Sequence, residues 1–360
     1  RTGLRHRVER LLPGFFPLAG GYTTGACATA AARAALLALL TGEHCSCVAI
    51  TLPCGESVDL PVARVERTED GATAMVVKDG GDDPDVTNGR EVVARVMLAA
   101  TPGVRFRAGV GVGIVTLPGL GLEVGEPAIN PVPRRMMTAE CESLLAAYAP
   151  GKGVVIEISV PGGEEIAQKT FNPRLGIVGG ISIIGTSGIV RPFSSEAFVA
   201  TIRKEIQVAC ALGCRHLVIN SGAKSERALR VRCSDLPEQA FVHYGNYIGD
   251  TLRIAAEEGI PRLTMGIMIG KAVKLAEGHP DTHSRAVVMN RAFVADLAAC
   301  AGCTPDQCAR ITALTLAREL WTLLPPAHPF FSLLVQRCFA TCRIFYPDGD
   351  LDVILIPENE

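Results

Sequence analysis

The sequence predicts two α/β domains: an N-terminal α+β domain, then a Rossmann-like domain with a mostly parallel sheet and helices on both faces. Three observations predict it. Up to about residue 168, one long alanine- and leucine-rich helix stands among short, turn-bounded strand patterns. After Asn172 the rhythm changes to strand, helix, strand, helix, with near-continuous apolar strands of the kind a covered parallel sheet uses. Between the two patterns, residues 162–173 read as a linker. The expected domains are therefore 21–168 and 169–360, with 1–20 as an N-terminal extension.

In chain order, the helix at 24–41 follows from its Ala-Leu composition, from Thr23 or Thr24 as a cap and from Gly42 as a left-handed stop. Strands are expected at 48–52, 62–67, 72–78 and 110–116. A helix at about 133–147 and a strand at 153–159 close the first domain. In the second, strands at 177–184, 216–220, 240–243, 263–269 and 351–356 alternate with helices at 195–212, up to Gly259, at 284–300 and at 305–323.

Composition narrows the functional classes. Of the 360 residues, 48% are hydrophobic and 20% charged, which fills a large core and excludes a disordered chain. A net charge of −2 argues against a general nucleic-acid or anionic-membrane partner. The longest apolar stretch, 26–40, carries Arg33 and is shorter than the ~20 residues of a membrane span. The first twenty residues imitate a signal peptide, but Pro13 and Pro17 break the apolar part and no small-residue cleavage site follows. A soluble, cytoplasmic protein is expected, with homo-oligomerisation left open. Thirteen cysteines scattered among apolar residues read as reduced core residues. The spacing of Cys300, Cys303 and Cys308 matches no standard metal run, and no protein metal site is expected.

The residues that carry chemistry form several clusters. The run 176–192 ends an Ile/Val-rich stretch in Gly185-Thr186-Ser187-Gly188 before a helix, the pattern by which a strand end presents backbone amides to a ligand. Thr23, Thr24 and Gly25 open the long helix, as an anion cradle or as a plain cap. Three prolines at 127, 131 and 133 stiffen a segment that brings Arg134 and Arg135 to a helix start, where they oppose its dipole. That placement suits anionic ligand groups better than solvent. Asp82, Asp83 and Asp85 form an acidic turn more readily than a cation site. His279 and His283 lie in a loop ahead of a helix, as an acid/base pair or as backbone-bonded side chains.

Taken together, Gly-Tyr-Thr-Thr-Gly-Ala-Cys at 21–27, Asp85-Val86-Thr87, the segment 125–136 and the segments 172–182 and 185–188 resemble the CbiD family. These are the cobalt-precorrin-5B (C1)-methyltransferases of anaerobic cobalamin biosynthesis. The resemblance runs from about residue 20 to the end. It departs at 245–249, where Gly-Asn-Tyr-Ile-Gly is longer than the family's turn, and around the 300–342 cysteines. It implies a methyltransferase using S-adenosyl-L-methionine on carbon 1 of a cobalt corrinoid, with the cobalt arriving in the substrate. Arg134, Arg135, Arg174 and the amides of Thr23, Thr24 and Gly25 would then hold substrate carboxylates. Gly185, Thr186, Ser187, Gly188, Gly245 and Asn246 would hold the cofactor, and Glu126, His279 and His283 are the candidate bases. Two other classes are weighed. A nicotinamide-dependent reductase lacks its glycine fingerprint and acidic residue, and a non-catalytic tetrapyrrole carrier would not need the cofactor turn.

Overall fold

The computed structural model describes residues 20–192, 194–284 and 286–357, so most of the expected N-terminal extension lies outside the described residues. The chain divides into two compact units at Ser194/Ser195.

The first unit is built on one helix and one sheet. Its elements are β1 (Gly21–Tyr22), α1 (Thr24–Thr41), β2 (Cys47–Thr51), β3 (Ser57–Pro61), β4 (Arg64–Thr68), β5 (Gly71–Val77), β6 (Glu91–Ala99) and β7 (Gly103–Ala108). There follow β8 (Ile114–Val115), α2 (Pro131–Tyr148), β9 (Gly153–Ser159), α3 (Gly163–Ala167), β10 (Ile177–Val178) and β11 (Ile189–Val190). The main sheet has the order β4-β5-β6-β9-β7, antiparallel except for the parallel pair β7/β9. Helix α1 packs on β5 and β6 and on α2. Its alanines at 28, 31, 32 and 35 are fully buried, and side chains that small let sheet and helix backbones approach closely. By length and apolarity α1 resembles a membrane span, but here it is mostly buried within the unit.

The second unit contains α4 (Ser195–Ala211), β12 (His216–Asn220), α5 (Ala223–Arg232), β13 (Phe241–His243), α6 (Ile248–Glu257), β14 (Arg262–Met268) and α7 (Ile269–Ala276). It ends with α8 (Arg291–Cys300), α9 (Pro305–Thr312), α10 (Leu320–Leu323), α11 (Pro329–Phe345) and β15 (Asp350–Ile356). Its four strands are all parallel, in the order β13-β12-β14-β15. Helix α5 packs on β12 and β14, α4 on β13 and α6, and α11 on β15, so the strands are nearly continuous in apolar residues.

Several expectations are corrected. The units part at residue 194, not within 162–173, which instead holds α3. Residues 177–184 are no strand of the parallel sheet. Gly179 turns at φ +86°, and Gly180 passes so close to Gly111 that a Cβ would stand 2.2 Å from its carbonyl oxygen. The segment is stitched into the first unit instead: β10 pairs with β8, Ile181 and Ile183 bridge Val112 and Ile129, and β11 pairs with β1. Ladder hydrogen bonds of this kind decide domain membership, whatever the local composition. The strand expected at 110–116 shortens to β8, and β6 and β7 are additional. Residues 305–323 break into α9 and α10, while α5, α7 and α11 are helices the pattern did not declare.

Candidate functional site

In the first unit, the start of α1 meets the turn 184–188. Thr23 caps the helix, its side chain accepting from the Ala26 amide at 3.2 Å. The Gly25 amide donates to the Ile184 carbonyl at 2.9 Å and the Thr23 amide to the Gly188 carbonyl at 3.0 Å. Thr24 Oγ1 donates to the Ile184 carbonyl and accepts from the Ile184 amide. The positive pole read as an anion cradle is thus closed by the chain's own carbonyls, and Thr23, Thr24 and Gly25 are buried. The glycines of the turn serve packing. A Cβ on Gly185 would stand 2.2 Å from Thr23 Oγ1, and one on Gly188 (φ +81°) would stand 2.6 Å from Leu52 Cδ2. Thr186 and Ser187 are exposed, with Ser187 Oγ donating to the Ile189 carbonyl at 3.0 Å. Gly185–Gly188 therefore does not stand at a strand end of the parallel sheet, where it was expected to take the cofactor.

The two adjacent arginines separate in role. Arg134 donates from each of its three nitrogens within its own approach loop: Nη1 to Glu126 Oε2 at 2.6 Å, Nη2 to the Pro127 carbonyl at 3.0 Å and Nε to the Ile129 carbonyl at 2.8 Å. It holds the 126–129 segment in shape, and it occupies the Glu126 carboxylate that was a candidate base. Arg135 is exposed, and its side chain has no ion pair or hydrogen bond among the described residues. It lines a depression of about 460 Å³ with Leu122, Glu123, Glu126 and Arg134. Arg174 is half-buried on the turn 172–176, which Asn172 fastens by donating Nδ2 to the Gly180 carbonyl at 3.1 Å.

In the second unit the carboxyl ends of β12, β13 and β14 form one edge. Asn220 and His243 are register partners there. The Asn220 carbonyl accepts from the Tyr244 amide at 2.8 Å, and its Oδ1 accepts from the Gly222 amide at 3.0 Å. Gly245 turns at φ +58° beneath the Phe198 ring, where a Cβ would come within 2.8 Å. The Asn246 side-chain oxygen accepts from Lys271 Nζ, and its carbonyl accepts from the Thr282 amide at 3.0 Å. Gly245 and Asn246 are thus engaged in holding the edge together. The open glycines of this edge are Gly222 and Gly270, around which a Cβ would meet nothing within 4 Å.

The loop read as an acid/base pair splits. His279 lies 3.5 Å from the Glu277 carboxylate and is 44% exposed. His283 is half-buried and lines a pocket of about 860 Å³ with Lys204, Tyr247, Asp250 and Asp281. Burial pushes the Lys204 ammonium below the ordinary lysine range. Three features escaped the sequence. His243 Nε2 bonds the buried Glu226, which also accepts from Arg230 at 2.7 Å; Lys271 and Lys274 bracket Thr282; and Gly222 opens the end of β12. Only Gly222 had a visible signal, a glycine two residues past an apolar strand.

All thirteen cysteines are free thiols, and burial pushes those of Cys27, Cys141 and Cys342 up to about 12. Among the described residues no group of three His, Cys, Asp or Glu stands close enough to hold a metal ion.

Comparison with known proteins adds the family. Residues 15–192 match the CbiD family model and 281–360 match its C-terminal domain. A cobalt-precorrin-5B C(1)-methyltransferase of Prosthecochloris aestuarii is 48% identical over 342 residues, 93% of each chain. Its counterpart in Geobacillus kaustophilus is 46% identical over 325 residues, covering 90% of this chain and 87% of the relative. A crystal structure of the cobalamin biosynthesis protein cbiD from Archaeoglobus fulgidus is 30% identical, with a TM-score of 0.40 over 69% of this chain and 76% of that one. With relatives this close along nearly the whole length, the chain belongs to the CbiD family.

Proposed function

We propose that this chain methylates carbon 1 of cobalt-precorrin-5B with S-adenosyl-L-methionine, giving cobalt-precorrin-6A and S-adenosylhomocysteine in the cytoplasm. The observation that carries this reading is the 48% identity over 93% of both chains to a relative named for the reaction.

The second unit is read as Rossmann-like. Its strand order reverses direction between β12 and β14, and open α/β sheets take ligands outside the carboxyl ends of the strands at such a reversal. Gly222 and Gly270 leave the backbone approachable on both sides of that point, which fits a nucleoside-bearing donor. The donor supplies an already electrophilic methyl group. What remains for the protein is orientation and exclusion of water. Arg135 suits the acetate and propionate carboxylates of the corrinoid, with Arg134 and Glu126 shaping the loop beside it. His283, lining a pocket at the same edge as Asn246, is the candidate to accept a macrocycle proton. Cobalt enters and leaves as part of the substrate.

Titration calorimetry with S-adenosylhomocysteine tests the reading, with NADPH as the control for a reductase. Binding of the first, together with methyl gain by cobalt-precorrin-5B on the mass spectrum, is expected. Binding of NADPH alone would turn the assignment to a reductase, and corrinoid binding without either cofactor would turn it to a carrier.

A further inference from the structure

Lysines normally meet a carboxylate when they leave bulk water, because an ammonium that loses hydration without a counter-charge costs several kcal/mol. Lys271 and Lys274 break that pattern together. Both stand on α7, directly past the end of β14, and both are half-buried. Lys271 Nζ donates to Asn246 Oδ1 and to Thr282 Oγ1 at 3.5 Å, and Lys274 Nζ donates to the Thr282 carbonyl at 3.1 Å. Every one of these acceptors is neutral, and no carboxylate lies within ion-pair distance of either ammonium among the described residues. Burial lowers the pKa of both and Lys274 lowers that of Lys271 further, while the Asp281 carboxylate on the facing loop, beyond ion-pair distance, raises both only in part. Two cations are thus held by neutral groups that orient them, with Asp281 the one carboxylate acting on them and too far to form an ion pair.

We infer that Lys271 and Lys274 form a receptor for a ligand carboxylate at the carboxyl edge of the parallel sheet. The inference rests on the methyltransferase reading, under which two carboxylate sources reach this edge: the amino-acid end of the methyl donor and the side chains of the corrinoid. Asn246 and Thr282 fix the ammonium positions, so the anion meets a charge pair already in place. Gly270, one residue before Lys271, leaves room for its approach.

The test uses the full chain, S-adenosylhomocysteine and its decarboxylated analogue, in parent, Lys271→Met, Lys274→Met and Lys271→Arg proteins. If the donor carboxylate binds here, the methionine variants lose at least tenfold in affinity for S-adenosylhomocysteine and keep parental affinity for the analogue. If the corrinoid carboxylate binds here, affinity for both nucleosides holds while KM for cobalt-precorrin-5B rises at least tenfold. Lys271→Arg retains the charge and most of the binding in either case, and it carries the test with Lys274→Met if Lys271→Met does not fold. Parental nucleoside affinity together with parental KM would overturn the inference. So would an equal loss for both nucleosides in a folded variant. A parent protein that binds no S-adenosylhomocysteine would instead count against the methyl-donor reading itself.

Discussion

At Lys271 an ammonium group is pushed down to a pKa of about 8, chiefly by burial and then by Lys274 on the same helix, while Asp281 on the facing loop pulls it up. The cation is full below that pH and lost above it. A carboxylate ligand therefore binds at full strength at pH 7 and weakens as pH rises through about 8. One unit above the pKa about a tenth of the ammonium remains, so with the donor carboxylate seated here S-adenosylhomocysteine affinity should fall up to ~tenfold by pH 9, and with the corrinoid carboxylate seated here KM should rise by as much. Lys271→Arg, which does not titrate in this range, should lack that component, and superimposable profiles would exclude Lys271 as its source. The adjacent arginines of the first unit make a second residue-scale contrast. Arg134→Ala strands the Ile129 carbonyl and removes a donor from Glu126 and from the Pro127 carbonyl, which keeps the Ile129 amide at 2.7 Å, and should cost ~1–3 kcal/mol in urea unfolding. Arg135→Ala should leave stability within ~0.5 kcal/mol and raise KM for the corrinoid. The reverse assignment of effects would show that the exposed arginine is the structural one.

The elements show two glycines with opposite demands. A Cβ on Gly25 would stand 2.6 Å from Pro133 Cγ and 3.0 Å from the Ile184 carbonyl, so Gly25→Ala must push α1 away from α2 or from the 184–188 turn. A loss of ~1–3 kcal/mol and a lowered Tm are expected, and an unchanged Tm would show the contact to be slack. Gly270 is open and lies in the first turn of α7, so Gly270→Ala should fold as well as the parent or better by up to ~1 kcal/mol. Its S-adenosylhomocysteine affinity should nonetheless fall, because the added methyl occupies the approach to the backbone; parental affinity would move the donor off this strand end. Much of this architecture was legible in the sequence. Alanine and leucine with threonine and glycine caps declare α1, and the apolar runs 216–220 and 263–269 declare buried parallel strands. Residues 177–184 are not the expected strand of the parallel sheet, because an Ile/Val-rich run ending in a glycine turn has one signature whether it enters a parallel sheet or pairs in short bridges with another unit. Helix α5 escaped because Lys-Ser-Glu-Arg-Ala-Leu-Arg-Val-Arg has little apolar periodicity to detect. The charge chemistry of Lys271 had no sequence signal at all, since desolvation is a property of the folded surroundings.

At the scale of the whole molecule, each unit has its own hydrophobic core, one around α1 and the five-stranded sheet, the other around the four parallel strands. Ligand binding stabilises what it contacts, so the location of the donor is readable as a change in local opening. At about one hundred times its Kd, a ligand adds ~2.7 kcal/mol to the unit that holds it, which slows exchange through that unit's opening about a hundredfold. Hydrogen exchange of the full chain with S-adenosylhomocysteine should therefore slow amides of β12 and β14 and leave those of α1 at their free rates. The distinction is sharp because α1 receives the Gly185–Gly188 turn directly, its first amides bonded to the chain's own carbonyls. A donor seated on that turn would protect α1 first. Protection confined to α1 and β11 would thus return the cofactor to the first unit and leave the parallel sheet to the corrinoid.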